Sequence, residues 1–257
     1  MKNALARDEP VLRSLTSLVF IEVFSGSSRL CKAFSRLGYQ TIPWDIKLGS
    51  SYDLTVRANS DKLQTLLRGA HCIHFAPPCS SFSLAARGRA PRSLKCPWGK
   101  DNLSPEMKVK VDLANTLTRV TVKLARFCIR GGQIVSFENP RSSRIFALPP
   151  VRRIAVLGSE MVFPFCAYGE RWQKYTKVLF WNCPPLSKLS RQCNSVNGLC
   201  QFTRKPHIIL QGKNEHGLDR TKEAEPYPMK WCTAFARAVR TYDLAACCRR
   251  LETLSES

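Results

Sequence analysis

The stretch Cys72-Ile73-His74-Phe75-Ala76-Pro77-Pro78-Cys79-Ser80-Ser81-Phe82-Ser83 passes from an apolar run to a thiol behind two prolines. Cys72–Phe75 reads as a buried strand. Proline fixes φ and biases the residue before it away from helix. The strand therefore stops at the Pro pair, and Cys79 is presented at its carboxyl end. In open α/β sheets that is the edge where ligands and chemistry collect. A lone cysteine there reads as readily as a buried structural thiol, so the rest of the chain has to decide.

The 257 residues suit one large domain, or a domain with a small appendage. Forty Lys+Arg against 19 Asp+Glu give a net charge of +21. That balance points to a polyanionic partner, with a generic basic surface as the plain alternative. The charge runs through the whole chain rather than along one amphipathic helix, which favours nucleic acid over a membrane face. Asp8, Glu9 and Pro10 interrupt the beginning where a secretory segment needs an apolar core. No apolar stretch has the length of a membrane span. Twelve cysteines without regular spacing are expected to be reduced thiols of an intracellular protein, nuclear in a eukaryote and cytoplasmic in a bacterium or phage.

Working outward, a short helix is predicted at Pro10–Ser17 and a buried strand at Leu18–Phe24. The strand runs into the small-residue turn Ser25-Gly26-Ser27-Ser28. A helix with Leu30, Ala33, Phe34 and Leu37 on one face ends at Gly38, and a strand Gln40–Trp44 delivers Asp45. Small residues let backbone approach a ligand, and an acid after the second strand accepts bonds from ribose hydroxyls. A helix is predicted near Asp61–Arg68. Residues 84–104 form a long basic connection carrying Arg87, Arg89 and Arg92, suited to phosphate contact or to plain solvation. Ser104-Pro105-Glu106 starts a helix that runs to about Arg130. Gln133–Phe137 is a strand ending in Glu138-Asn139-Pro140, a carboxylate at the same sheet edge as Cys79. Pro149-Pro150 reads as a break, strands follow at Ser159–Phe163 and Thr176–Trp181, residues 182–215 read as loop, and 225–249 as helix.

A strand-turn with a downstream acid, then Pro-Pro-Cys, then Glu-Asn-Pro, in that order, resembles the cytosine carbon-5 DNA methyltransferase family in a short, phage-like form. The resemblance covers roughly residues 18–181. It implies a doubly wound, mostly parallel Rossmann-like methyltransferase sheet and S-adenosylmethionine as cofactor. By position, Phe24, Ser25, Gly26, Ser27 and Ser28 resemble the cofactor loop, with Glu22 as the acid before it. Asp45 with Ile46 matches the ribose contact, Asp53 with Leu54 the adenine contact, and Pro77, the last of the implied cofactor contacts, leads into the nucleophile Cys79. Glu138 matches the acid that protonates the base. Lys174 and Thr176 stand where paired arginines are usual, Ser28 where a second glycine is usual, and Pro140 where valine is commoner.

The implied reaction explains the residue types. Cytosine carbon 5 is a poor nucleophile until a thiolate adds at carbon 6, and a carboxyl group that protonates N3 neutralises the charge this creates. A base in a duplex must be flipped out to be reached. Arg87, Arg89 and Arg92 would clamp phosphates, with Lys174 and Thr176 beside the nucleotide. The expected organisation is a catalytic domain over 1–181, a small Cys-rich recognition segment over 182–224 and a C-terminal helix over 225–257 that packs back, as a monomer on DNA. The same chemistry on tRNA, or nucleic-acid binding without catalysis, are the alternative readings. No metal is expected in the catalytic site. Cys183, Cys193, Cys200 and His207 offer a tetrahedral zinc set in the loop-rich region, against free thiols there.

Overall fold

The computed structural model describes residues 18–83 and 90–255; the helix expected at Pro10–Ser17 lies outside them. Six strands form one mixed sheet in the order β2-β1-β3-β4-β6-β5. They are β1 (Val19–Val23), β2 (Gln40–Trp44), β3 (Cys72–Phe75), β4 (Ile134–Pro140), β5 (Ser159–Pro164) and β6 (Tyr175–Trp181). The pairs β1/β2, β1/β3 and β3/β4 are parallel, while β6 runs antiparallel to both β4 and β5. The expectation of a mostly parallel sheet thus holds for every strand except β6. The short connection 165–174 explains the reversal, since a parallel return needs a crossover of about a dozen residues or more.

Helices cover both faces. On one face α2 (Arg57–Leu67), α3 (Pro105–Arg130) and α4 (Pro149–Ala155) bury Leu63, Leu67, Leu124 and Val151 against Ile21, Ile73, Val135 and Phe137. On the other, α1 (Arg29–Ser35) and α5 (Met229–Ser255) bury Phe34, Trp231 and Phe235 against Phe20, Cys72 and Phe180. Strand side chains alternate between faces, so each apolar run feeds both cores. Phe20 stacks on Phe34 at 3.8 Å between ring centroids.

The caps follow local chemistry. Ser104 accepts a hydrogen bond from the Met107 amide at 3.3 Å and Pro105 occupies the first turn of α3. Pro149-Pro150 begins α4 instead of breaking the chain, because a first-turn amide has no intrahelical acceptor to lose. Strand β4 runs on through Glu138, Asn139 and Pro140, since β6 pairs with them after β3 has ended. The last helix starts at Met229 rather than 225, because Pro226 and Pro228 keep Glu225 and Tyr227 out of helical conformation. No helix among the described residues is long and apolar enough to cross a membrane.

Candidate active site at the carboxyl edge of the sheet

The chain leaves β1 towards β2 on one side and later enters β3 on the other, so β1 and β3 flank the switch point of the sheet. Ligands of open α/β sheets bind outside the carboxyl ends of the strands at that point. A cleft of about 510 Å³ opens there, a size suited to a cofactor-sized molecule. Phe24, Ser25, Gly26 and Ser27 line it from β1, Asp45 and Ile46 from β2, Pro77 and Cys79 from β3, and Glu138 and Asn139 from β4.

The β1 turn is built to bring backbone to the cleft. Phe24, Gly26 and Ser28 all take positive φ, at 61°, 51° and 52°. Ser28 thus adopts the left-handed conformation that a glycine takes without strain. It stays behind the cleft, closing the turn as its amide donates to Ser25 O at 2.7 Å. Asp45 locks the turn to β2: its carboxylate accepts from the Gly26 amide and from the Lys47 amide, each at 2.9 Å. Glu22 sits one layer below, buried, accepting from the Cys31 amide at 2.8 Å, and burial pushes its carboxyl up to about 7.

Asp53 and Leu54 do not join the cleft. Leu54 is buried in the core, and the Asp53 carboxylate accepts from the Thr55 amide and hydroxyl, each at 2.8 Å. Their apolar-acidic pattern follows the packing of the 49–56 turn under Trp44, whose indole donates to Tyr52 O at 3.0 Å.

Cys79 is half-buried, and its carbonyl accepts from the Phe82 and Ser83 amides, each at 2.9 Å, so the Pro-Pro-Cys stretch ends in a tight turn. Burial, followed by the Glu138 charge, pushes the thiol up from its ordinary value, and Lys174 opposes them. Glu138 is itself raised by burial, with Lys174 and a bond from Tyr227 pulling it back. The Cys79 thiol and the Glu138 carboxyl therefore sense each other. A proton on Glu138 removes the charge that disfavours the Cys79 thiolate.

Behind Glu138 stands a polar row whose His74, Ser136 and Tyr227 sequence reading missed. Glu22, His74 and Ser136 are cross-strand neighbours in register on the α5 face, and Glu138 lies two residues beyond Ser136 on that face. Tyr227 Oη donates to Glu138 Oε2 at 2.7 Å, and His74 Nε2 lies 3.1 Å from Tyr227 Oη. His74 Nδ1 lies 2.8 Å from Ser136 Oγ. Burial pushes His74 down to about 3, so it is neutral. One consistent proton arrangement has Ser136 donating to Nδ1, Nε2–H donating to Tyr227, and Tyr227 donating to the carboxyl. The available signal for Tyr227 was its place between two prolines, a non-helical stretch just before a helix.

The residues expected on nucleic acid separate three ways. Arg87 and Arg89 lie outside the described residues. Arg92 is not a phosphate contact: it is 2% exposed, stacked 3.8 Å over the Phe82 ring. Its guanidinium donates to Ser81 O and Oγ, Pro97 O, Val111 O and Asn115 Oδ1. It anchors the start of the basic connection to α3. Thr176 is also buried, opposite Pro140. Lys174 does line the cleft, its Nζ donating to Ala224 O at 2.8 Å, so its charge is directed at Cys79 and Glu138.

Asn139 ties the two motifs together, its Nδ2 donating to Pro77 O at 2.9 Å. Its Oδ1 is buried without a partner among the described residues, an acceptor that suits a ligand donor. A second hollow of about 770 Å³ lies at the opposite, amino edge, lined by Arg68, Arg119, Arg126 and Gly131, and it contains neither thiol nor carboxylate. Comparison with protein-family models and with curated proteins returns no match for the sequence.

Proposed function

We propose that the protein transfers a methyl group from S-adenosylmethionine to carbon 5 of cytosine in DNA. The observation that carries this reading is the meeting of Cys79 and Glu138, electrostatically coupled, in the same cleft as the Phe24–Ser27 turn and Asp45. The residues present fit the cofactor. The positive-φ turn brings backbone to the cleft, Asp45 offers acceptors for ribose hydroxyls, and the switch-point position suits a nucleoside. When bound there, the cofactor supplies the methyl group.

The protein's own groups divide the remaining work. Cys79 adds as thiolate to carbon 6 of the ring, which loads negative charge towards N3. Glu138, protonated, donates at N3 from the oxygen that Tyr227 leaves free. After carbon 5 has gained its methyl group, a base such as water removes the carbon-5 proton. The carbon 6–sulfur bond then breaks to release Cys79 as thiolate, and the N3 proton returns to Glu138. Tyr227 stays bonded to Oε2, so the carboxyl keeps one orientation through the step. Lys174 offsets the thiolate's cost in the partly buried cleft. Asn139 holds the Pro77 carbonyl and so fixes the approach of the nucleophile. The net charge of +21 supports a polyanionic substrate.

Bisulfite sequencing of DNA from cells expressing the protein tests the proposal. New protection of cytosines against conversion, absent with a Cys79→Ser variant, is the expected result. Unprotected DNA together with methylated cytosine in the cell's RNA would move the same chemistry to the other polymer.

A further inference from the structure

A second group of thiols lies apart from the cleft, at the corner where the 182–224 segment meets β5 and β6. Cys166, Cys193, Cys200 and His207 each present one ligand atom, and the four atoms lie within 4.8 Å of one another. We propose that they form a structural zinc site that fastens this segment to the sheet. The set differs from the one read from sequence. Cys183 is buried in the α5-side core beside Leu186, and Cys166, in the turn after β5, takes the fourth position.

Two of the six ligand–ligand separations match those of a tetrahedral ion, and all six lie within 4.8 Å. Cys193 Sγ is 3.7 Å from Cys200 Sγ and 3.7 Å from His207 Nε2. With Zn–S near 2.3 Å and Zn–N near 2.0–2.1 Å, tetrahedral angles place two sulfurs about 3.8 Å apart and sulfur and nitrogen about 3.6 Å apart. A disulfide would need sulfurs about 2.05 Å apart. Three thiolates and one imidazole form a closed, soft donor set, the kind used by structural zinc.

The surroundings point the same way. The three cysteines form a buried cluster to themselves. Cys200 Sγ accepts from the Phe202 amide at 3.4 Å and the Thr203 amide at 3.5 Å, bonds that favour a thiolate. Tyr175 Oη accepts from the Cys193 amide at 3.1 Å and donates to its carbonyl at 3.2 Å, so β6 holds that ligand's backbone. Ser195 Oγ stands 3.5 Å from the other ring nitrogen of His207. Strand pairing does little to order the segment: among the described residues it amounts to the isolated bridges Val196↔Leu199 and Lys213↔Asp219. A loop-rich stretch with so small a core is the setting in which a metal supplies the missing constraint.

The test is metal analysis of the full chain, grown with zinc and purified under reducing conditions without chelator. Native mass spectrometry and elemental analysis should find zinc equimolar with protein. Cys200→Ser and His207→Ala should each lower it to background, and Cys183→Ala should keep it. If those variants fold poorly, cobalt(II) exchange into the unaltered protein gives an independent readout: thiolate charge-transfer and tetrahedral ligand-field absorption. Zinc far below equimolar with no such absorption overturns the proposal. So does a Cys193–Cys200 disulfide in the reduced-purified protein, or full zinc retention in both ligand variants.

Discussion

The cleft and the cysteine corner set the same functional group in opposite surroundings. In the cleft a single thiol, Cys79, sits half-buried on a Pro-terminated strand end, with burial and then a carboxylate raising its pKa and a lysine lowering it. At the corner three thiols are buried, face one point, and are braced by amides and a tyrosine. A thiol becomes a nucleophile where one face is open and its charge is tunable. It becomes a ligand where its faces are spoken for. Residue type alone does not separate the two; the neighbours do.

The largest separation of the two regions is expected from Glu138→Gln. Without a proton for N3, transfer to cytosine should fall by about 10³-fold, within the 10²–10⁴-fold range of general acid catalysis. Removing the charge that opposes the thiolate should at the same time shift Cys79 alkylation by iodoacetamide to lower pH, where the unaltered thiol requires pH above its ordinary value. Peptide mapping follows Cys79 alone. A variant slower in both reactions would break the assignment of distinct roles, and the corner's metal content should not change.

Next in size is Arg92→Met. A surface phosphate contact would lose little stability, but this guanidinium satisfies five acceptors, four of them buried. Leaving them unpaired should cost about 3 kcal/mol, read as a lowered denaturant midpoint. An unchanged midpoint would return Arg92 to the nucleic-acid surface.

A smaller effect is expected from Tyr227→Phe. The Glu138 carboxyl loses its fixed partner, so kcat should drop about tenfold, equivalent to about 1.4 kcal/mol, while KM for DNA stays level. The bond from Tyr227 lowers the Glu138 pKa. Its loss should therefore move the alkaline limb that Glu138 sets towards higher pH. A change in KM alone would make Tyr227 a packing residue of the cleft wall.

Much of this arrangement was legible in the sequence, for identifiable reasons. Apolar runs bounded by Gly, Pro and small residues place β1, β3 and β4, and the prolines at 77, 78 and 140 mark where strands hand side chains to the carboxyl edge. Strand direction is not written in such runs, so the reversal of β6 emerged only from its pairing. Charge counts likewise say nothing of environment. Arg92 and Lys174 look alike in sequence, yet one is an internal anchor and the other lines the cleft. Cys166 was invisible as a member of the cysteine corner because it lies 27 positions before Cys193, and only the β5–β6 corner brings them together. His74 read as one more residue of a buried strand, and its part in holding Glu138 depends on Tyr227, far along the chain.

The most direct measurement of the central claim is transfer of labelled methyl from S-adenosylmethionine to cytosine-containing duplex DNA, comparing the unaltered protein with Cys79→Ser. Label on carbon 5 of cytosine with the unaltered protein, and its loss in the variant while cofactor binding persists, is the expected result. Full activity in Cys79→Ser, or no transfer by the unaltered protein with cofactor bound, would contradict it.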